Sequence, residues 1–389
     1  MKQIIFNILL ILSLNSFAQQ IILSNSSEIS VITVDPGNEL NDSFGHSAFR
    51  VKDKNLGLDQ AYNYGIYDFK TPNFYVKFAQ GRLPYDLASY PFHYFLRNYV
   101  DENRTVREQQ LNLTTAEKQS FFDFLENNAK PENKSYIYDF FYDNCATKLQ
   151  VVTQKVLGEH VIFDNNFTKD KEDTLRDLIH QYSKQHVWGT FGIDLALGSV
   201  IDRKATTQEY LFLPDNIFLA FAESTINNTP AVKKTQTLFT STPKEIKSNF
   251  LTPLVVFTLI ALLVFWVTFK DYKNKRRSKW LDFTLFFIAG LIGVVILLLW
   301  FATDHSTTKG NYNILWAFAP NLFVAFSLLK KKLPNLVKKY ILLLLILLTL
   351  TVVLWGFKIQ VFNIAIIPIL LLLIIRYLFL YKSEFYLEK

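Results

Sequence analysis

Residues 281–302, LDFTLFFIAGLIGVVILLLWFA, carry one acidic side chain near their start and then run apolar to the end. At 1.5 Å per residue, a helix of that length crosses the hydrocarbon core of a bilayer. Four more apolar runs lie near it, at about 252–269, 313–329, 340–355 and 364–381. About five tilted spanning helices are therefore expected. Basic residues crowd the first and third intervening loops: Lys270, Lys273, Lys275, Arg276, Arg277 and Lys279, then Lys330, Lys331, Lys332, Lys338 and Lys339. The second and fourth loops hold only Lys309 and Lys358. The positive-inside rule puts the crowded loops in the cytoplasm, and so puts residues 19–249 outside the inner membrane and the C-terminus inside.

The remainder of the chain is of another kind. Over all 389 residues, half are hydrophobic, 16% aromatic and 19% charged, which excludes a disordered protein. A single Cys excludes an intramolecular disulfide framework and a Cys-based zinc site. The net charge of +7 sits mostly in the two topological clusters, so no nucleic-acid partner is called for. The opening MKQIIFNILLILSLNSFAQQ has an early Lys2, an apolar core from Ile4 to Leu14 and Ser16-Phe17-Ala18, the pattern of a secretory signal over 1–18. Residues 19–225 mix polar and apolar positions as a folded domain does. Residues 226–250, rich in Thr, Asn, Pro and Lys and without apolar period, read as a linker to the membrane region 251–389.

Within the exported part, 31–34, 46–51 and 61–69 have strand character. Thr114 or Thr115 caps a helix that runs to about Asn128, with Glu117 in its first turn. A second helix is expected from near Cys145 to a stop at Gly158. Strands, a helix, then a Cys opening another helix make an α+β domain.

Cys145, in YDFFYDNCATKL, is the only thiol. The unpaired N–H groups and positive partial charge of a helix N-terminus bias a thiol toward the nucleophilic thiolate. The competing reading is a small buried hydrophobe. A nucleophilic thiol needs a base, and His46 in FGHSAFRV competes for that part with His93, His160, His180 and His186. No HExxH and no G-x-S-x-G occurs, so neither a metalloprotease site nor a serine nucleophile is supported, and nothing calls for a cofactor. Asp304, His305, Lys309 and Asn311 fall on the loop expected to face the exported domain, either as headgroup ligands or as a solvated turn.

The segments DPGNELNDSFGHSAFRV, YNYGIYDF, FAQGRLPYDL, YDFFYDNCATKL and TDHSTTKGNYNILWAFAPN resemble the Lnb family of Bacteroidota, across signal, exported domain and multispan region. The resemblance implies a permuted papain-like (NlpC/P60- and LRAT-type) exported domain followed by an all-α transmembrane bundle. In that arrangement a strand His precedes the nucleophilic Cys, as His46 precedes Cys145. It implies Cys145 as nucleophile and His46 as base, with Asn63, or second Tyr64, as the polar group that orients the His. Asn144 is expected to aid the oxyanion, and His305 is a candidate for binding a headgroup.

The implied activity is lipoprotein N-acylation. An acyl chain would leave a membrane phospholipid, pass through a Cys145 thioester and reach the α-amine of a diacylglyceryl-cysteine on a lipoprotein. A membrane-anchored cysteine peptidase acting on peptidoglycan peptides, a phospholipase, and a non-enzymatic sensor with a structural Cys145 are the alternatives.

Overall fold

The computed structural model describes residues 21–242 and 250–383. The expected signal segment lies outside the described residues.

Successive side chains in the first strands alternate between two apolar surroundings, and that pattern dictates a sheet covered on both faces. The strands are β1 (Glu28–Val34), β2 (His46–Asp53) and β3 (Leu58–Ile66). Val31, Phe49, Val51, Tyr62 and Tyr64 face one way, while Ile32, Val34, Ala48 and Ala61 face the other. Beyond β3 come α1 (Phe74–Ala79), β4 (Pro84–Pro91), α2 (Phe92–Asp101) and β5 (Val106–Leu111). Next are α3 (Thr115–Asn128), β6 (Ser135–Ile137) and α4 (Cys145–Leu157). Helix α2 covers the second face through Phe92 and Phe95. Helices α3 and α4 cover the first through Phe121, Phe122, Leu125, Leu149 and Val152. Each such side chain contributes about 1.5–3 kcal/mol by leaving water.

The chain continues through β7 (Val161–Ile162), α5 (Leu175–Ser183), α6 (Val187–Ala196), α7 (Pro214–Glu223), β8 (Thr225–Ile226), β9 (Thr229–Pro230) and β10 (Val232–Phe239). Seven strands pair antiparallel in the order β10-β5-β1-β2-β3-β4-β6, and β7, β8 and β9 make a small second sheet. The mixed α/β character of the exported domain is thus as read from the sequence. The caps agree too: Thr114 and Glu117 form a reciprocal capping box on α3, and Gly158 ends α4.

The stretch read as a linker behaves otherwise. Residues 232–239 pair with β5 as an edge strand, from Val232↔Leu111 to Phe239↔Val106. An edge strand needs a free neighbour more than an apolar face, and the mostly exposed VKKTQTLF meets that need with β-branched and charged residues.

The membrane region comprises α8 (Pro253–Lys273), α9 (Lys279–Phe301), α10 (Asn321–Ser327), α11 (Asn335–Gly356) and α12 (Ile366–Lys382). Three of these, α8, α9 and α11, are long and apolar enough to cross a membrane. The third apolar run is not one helix: it folds as a 3₁₀ turn at Tyr312–Leu315, an irregular stretch, and the seven-residue α10. Pro320 stands at the break, where a ring without an N–H cannot continue a helix. The broken segment lies against glycines of α9. A Cβ on Gly293 would sit 1.9 Å from the Ala317 carbonyl oxygen, and one on Gly290 only 2.1 Å from the Leu322 nitrogen.

The two basic loops meet at one end of the bundle, where Arg277 donates to the main-chain oxygens of Leu328 (2.7 Å) and Lys330 (2.5 Å). Buried charges at this end satisfy one another: Arg376 lies 2.6 Å from Asp282 and 2.8 Å from Asp271, and Arg277 lies 3.0 Å from Asp282. The opposite end carries the exported domain. There Gly198 and Ser199 donate main-chain N–H groups to Thr307 and Gly310, and Asn311 donates to the carbonyls of Leu195 and Ala196.

Candidate functional site

Three pieces of local structure converge at the top of the sheet. The first is the start of α4. Asn144 caps it, its Oδ1 accepting the N–H groups of Ala146 and Thr147 at 2.9 Å each. That leaves Cys145 as the first helical residue, buried but bordering a cleft.

The second piece is the start of β2. The β2–β3 ladder runs from Asp53↔Leu58 up to Phe49↔Tyr62 and goes no further, so the strands part over their last residues. His46 stands in the opening. The third piece is an irregularity in β3 between Tyr64 and Ile66, where Gly65 adopts φ +94. A Cβ there would lie 3.7 Å from that of Cys145, so the left-handed glycine brings the strand against the helix N-terminus.

In the space so formed, Cys145 and His46 stand beside each other, and each shifts the protonation of the other. On its other side His46 presents Nε2 to Asn63 Oδ1 at 2.5 Å. Asn63 is itself held by donating Nδ2 to the Tyr90 hydroxyl at 2.8 Å. The Asn63 contact fixes a proton on Nε2 and leaves Nδ1 as the nitrogen able to accept one. The imidazole also stacks on Tyr99, with ring centroids 6.0 Å apart.

Burial pushes the Cys145 thiol up, but the charge and hydrogen bond of His46, with main-chain N–H groups of Ser47 and Ala146, outweigh it and hold the thiol below its ordinary value. Burial likewise pulls His46 down, yet Cys145 and then Asn63 bring it above its ordinary value. The two shifts have opposite directions, as a thiolate–imidazolium pair requires. Such an arrangement is chemically able to supply a nucleophilic thiol with an oriented base.

Cys145 and His46 open into a cleft of about 690 Å³. Its walls are aromatic: Phe44, Tyr67, Phe69, Phe74, Tyr138 and Phe140 among others. Tyr138 stacks on Tyr85 at 4.3 Å, and burial, then the neighbouring sulfur charge, keeps its hydroxyl protonated. Asp304, His305, Ser306 and Thr307 of the membrane region complete the cleft. That loop is tied down by Ser306 Oγ donating to Asp139 Oδ2 (2.7 Å), in the turn that leads to Cys145, and by a 2.6 Å ion pair between Asp304 and Arg82.

Of the residues singled out from sequence, Cys145, His46, Asn63 and His305 come together around this cleft. Tyr64 does not. It is one residue on from Asn63 and points to the opposite face, its ring in the core and its hydroxyl bonded to Asn128 at 2.6 Å. Asn144 borders the cleft, but both donors of its amide are engaged by the carbonyls of Phe140 (2.9 Å) and Phe212 (2.7 Å), so it builds the loop and has no N–H left for an oxyanion. Asn311 is buried in the domain junction. The competing histidines lie elsewhere: His180, for instance, bonds Asp194. The sequence reading missed Ser47 and Gly65. A lone Gly inside a strand pattern was the available sign of the second.

Residues 14–181 match the family model described as the Lnb N-terminal periplasmic domain, and residues 245–386 match that of the Lnb transmembrane domain. The chain belongs to the Lnb family. It is accordingly a membrane protein with a periplasmic N-terminal domain, as the loop charges indicated. The Lnb periplasmic match contains all of Cys145, His46 and Asn63, whereas His305 lies in the transmembrane match. No curated protein and no solved structure matches the chain. Among the described residues there is no cluster of His, Cys, Asp and Glu able to hold a metal.

Proposed function

We propose that this Lnb protein is a thiol-dependent acyltransferase of the inner membrane that moves an acyl chain from a phospholipid to the α-amine of diacylglyceryl-cysteine on lipoproteins. One observation carries the reading: the Cys145–His46–Asn63 row opens into an aromatic cleft walled jointly by the periplasmic domain and by loop 304–307 of the membrane domain. Peptide hydrolysis calls for polar groups to hold a main chain, and needs no wall from a membrane domain. An acyl chain suits aromatic walls.

Cys145 thiolate attacks the ester carbonyl of the phospholipid, and the C–O bond breaks as His46 gives its proton to the departing lysophospholipid oxygen. The chain is then held as a thioester. The α-amine of the acceptor attacks that carbonyl, neutral His46 takes the amine proton, and the C–S bond breaks to return the thiolate. Asn63 keeps the imidazole in the tautomer both steps use. The N–H of Ser47, which favours the thiolate, and the positive N-terminal end of α4 supply positive potential where the oxyanion develops. An acyl chain seated between these aromatic walls would displace water, whose attack would make the protein a phospholipase.

Intact-mass analysis of the purified protein with phospholipid should find one acyl chain added, and none on the Cys145→Ala variant. In cells, that variant should leave lipoproteins diacylated. Fully N-acylated lipoproteins in a strain whose sole copy is Cys145→Ala would end the proposal.

A further inference from the structure

Between β3 and β4 the chain exposes a run of large apolar side chains, a feature that marks contact with a membrane or partner. Tyr67, Phe69, Tyr75, Val76 and Phe78 are 41%, 67%, 78%, 57% and 56% exposed. Lys70 and Lys77 stand among them, an aromatic and basic mixture suited to the zone of lipid headgroups.

The position of this segment is fixed by the membrane domain. Asp304 donates its N–H to the Gln80 carbonyl at 2.8 Å, and its carboxylate pairs with Arg82. His305 packs on Gly81, where a Cβ would come within 3.1 Å of its main-chain nitrogen, and Gly81 has φ +69. Asp304 follows the end of α9 at Phe301 by three residues, a span of about 10 Å at most. Helix α1 therefore lies at the level where α9 leaves the apolar layer. Four of the same residues, Tyr67, Phe69, Tyr75 and Phe78, also line the cleft that holds Cys145.

We propose that residues 66–79 form a membrane-inserted lip. Helix α1 rests in the outer leaflet of the inner membrane, and one acyl chain of a bilayer phospholipid slides over it from the leaflet to Cys145 without crossing water. This deepens the acyl-transfer reading and rests on it for the identity of the chain, but the insertion itself is independent of the chemistry.

Insertion is tested on the full chain in phosphatidylethanolamine–phosphatidylglycerol nanodiscs. In a Cys145→Ala background, Val76→Cys carries a fluorescent label, and the discs contain phosphatidylcholine spin-labelled near the headgroup end of its acyl chain. Lys54→Cys, in the β2–β3 turn at the far end of the strands, is the comparison. At least a two-fold quench at position 76, with little at 54, is expected; equal quenching at both positions overturns the lip.

A second arm keeps Cys145 and introduces Val76→Asp, at an exposed position that does not line the cleft. The rate with bilayer phospholipid, relative to acylation of Cys145 by a water-soluble p-nitrophenyl ester, should fall about tenfold. An unchanged ratio overturns the lip while leaving Cys145 chemistry standing. Absence of Cys145 acylation by either donor strikes the acyl-transfer reading instead, and the quenching result still decides insertion.

Discussion

At the scale of single residues, the centre of the molecule is a pair whose charges depend on each other. A thiol held below its ordinary value loses its thiolate as pH falls through that lowered value. An imidazole held above its ordinary value loses its proton as pH rises through the raised one. Both shifts favour the thiolate–imidazolium form over the neutral pair, and the two midpoints belong to the pair. Alkylation of Cys145 by iodoacetamide should accordingly persist below the usual thiol range near pH 8.5. His46→Ala should raise the midpoint, because burial is then opposed only by main-chain N–H groups. Asn63→Ala should move it partway, since Asn63 contributes to the His46 shift without touching sulfur. A midpoint unaltered by either change would show that sulfur is not paired with this imidazole. Asn144 illustrates how closely a role can be misjudged at this scale: an amide beside the nucleophile looks like an oxyanion donor until its hydrogen bonds are counted.

At the scale of elements, local signals performed well where one stretch of chain was enough to satisfy itself. The Thr114–Glu117 box completes itself within one turn, so α3 was legible in full. The third apolar run was not, because its break depends on a neighbour as well as on Pro320. The glycine face of α9 accepts irregular backbone against it, and buried Asn313 and Asn321 are met by Trp316 and Tyr340. Gly293→Val should therefore destabilise the bundle by about 1–3 kcal/mol, the usual cost of overpacking. Thermal unfolding in detergent checks this, with Gly356→Ala, which meets no atom within 4 Å, expected to be silent. Equal melting of both variants would mean that the irregular stretch before α10 does not need the glycine face.

At the scale of the whole molecule, the domains are bonded into one another. Besides the loop contacts, Asn363 donates to Asp194 at 2.8 Å, and Asp194 also receives Arg176 and His180. Loop 304–307, which completes the cleft, is held by Ser306 on Asp139, Asp304 on Arg82 and Thr307 on the Gly198 N–H. Gly198 lies at the junction, where a Cβ would fall 1.9 Å from the Lys309 carbonyl oxygen. Gly198→Val should raise hydrogen exchange across residues 302–311 about tenfold or more while leaving β1 and β2 protected. Unchanged exchange in that loop would show the junction to be softer than its hydrogen bonds imply.

The amino-acid sequence alone determined that the C-terminal region is a multispan membrane domain, that the N-terminal domain is periplasmic, where α3 and α4 begin and that a His precedes the Cys, but it did not determine the number of spans. Apolar length, loop charge and capping are properties of a few neighbouring residues, and need no distant partner. Only the tertiary structure decided that His46 meets Cys145, that Asn63 rather than Tyr64 orients it, that 232–239 is a strand, and that the membrane loop closes the cleft. Those outcomes depend on strand register, on where two strands part and on which edge stands free, and each of these is set by residues far apart in the chain packing against one another.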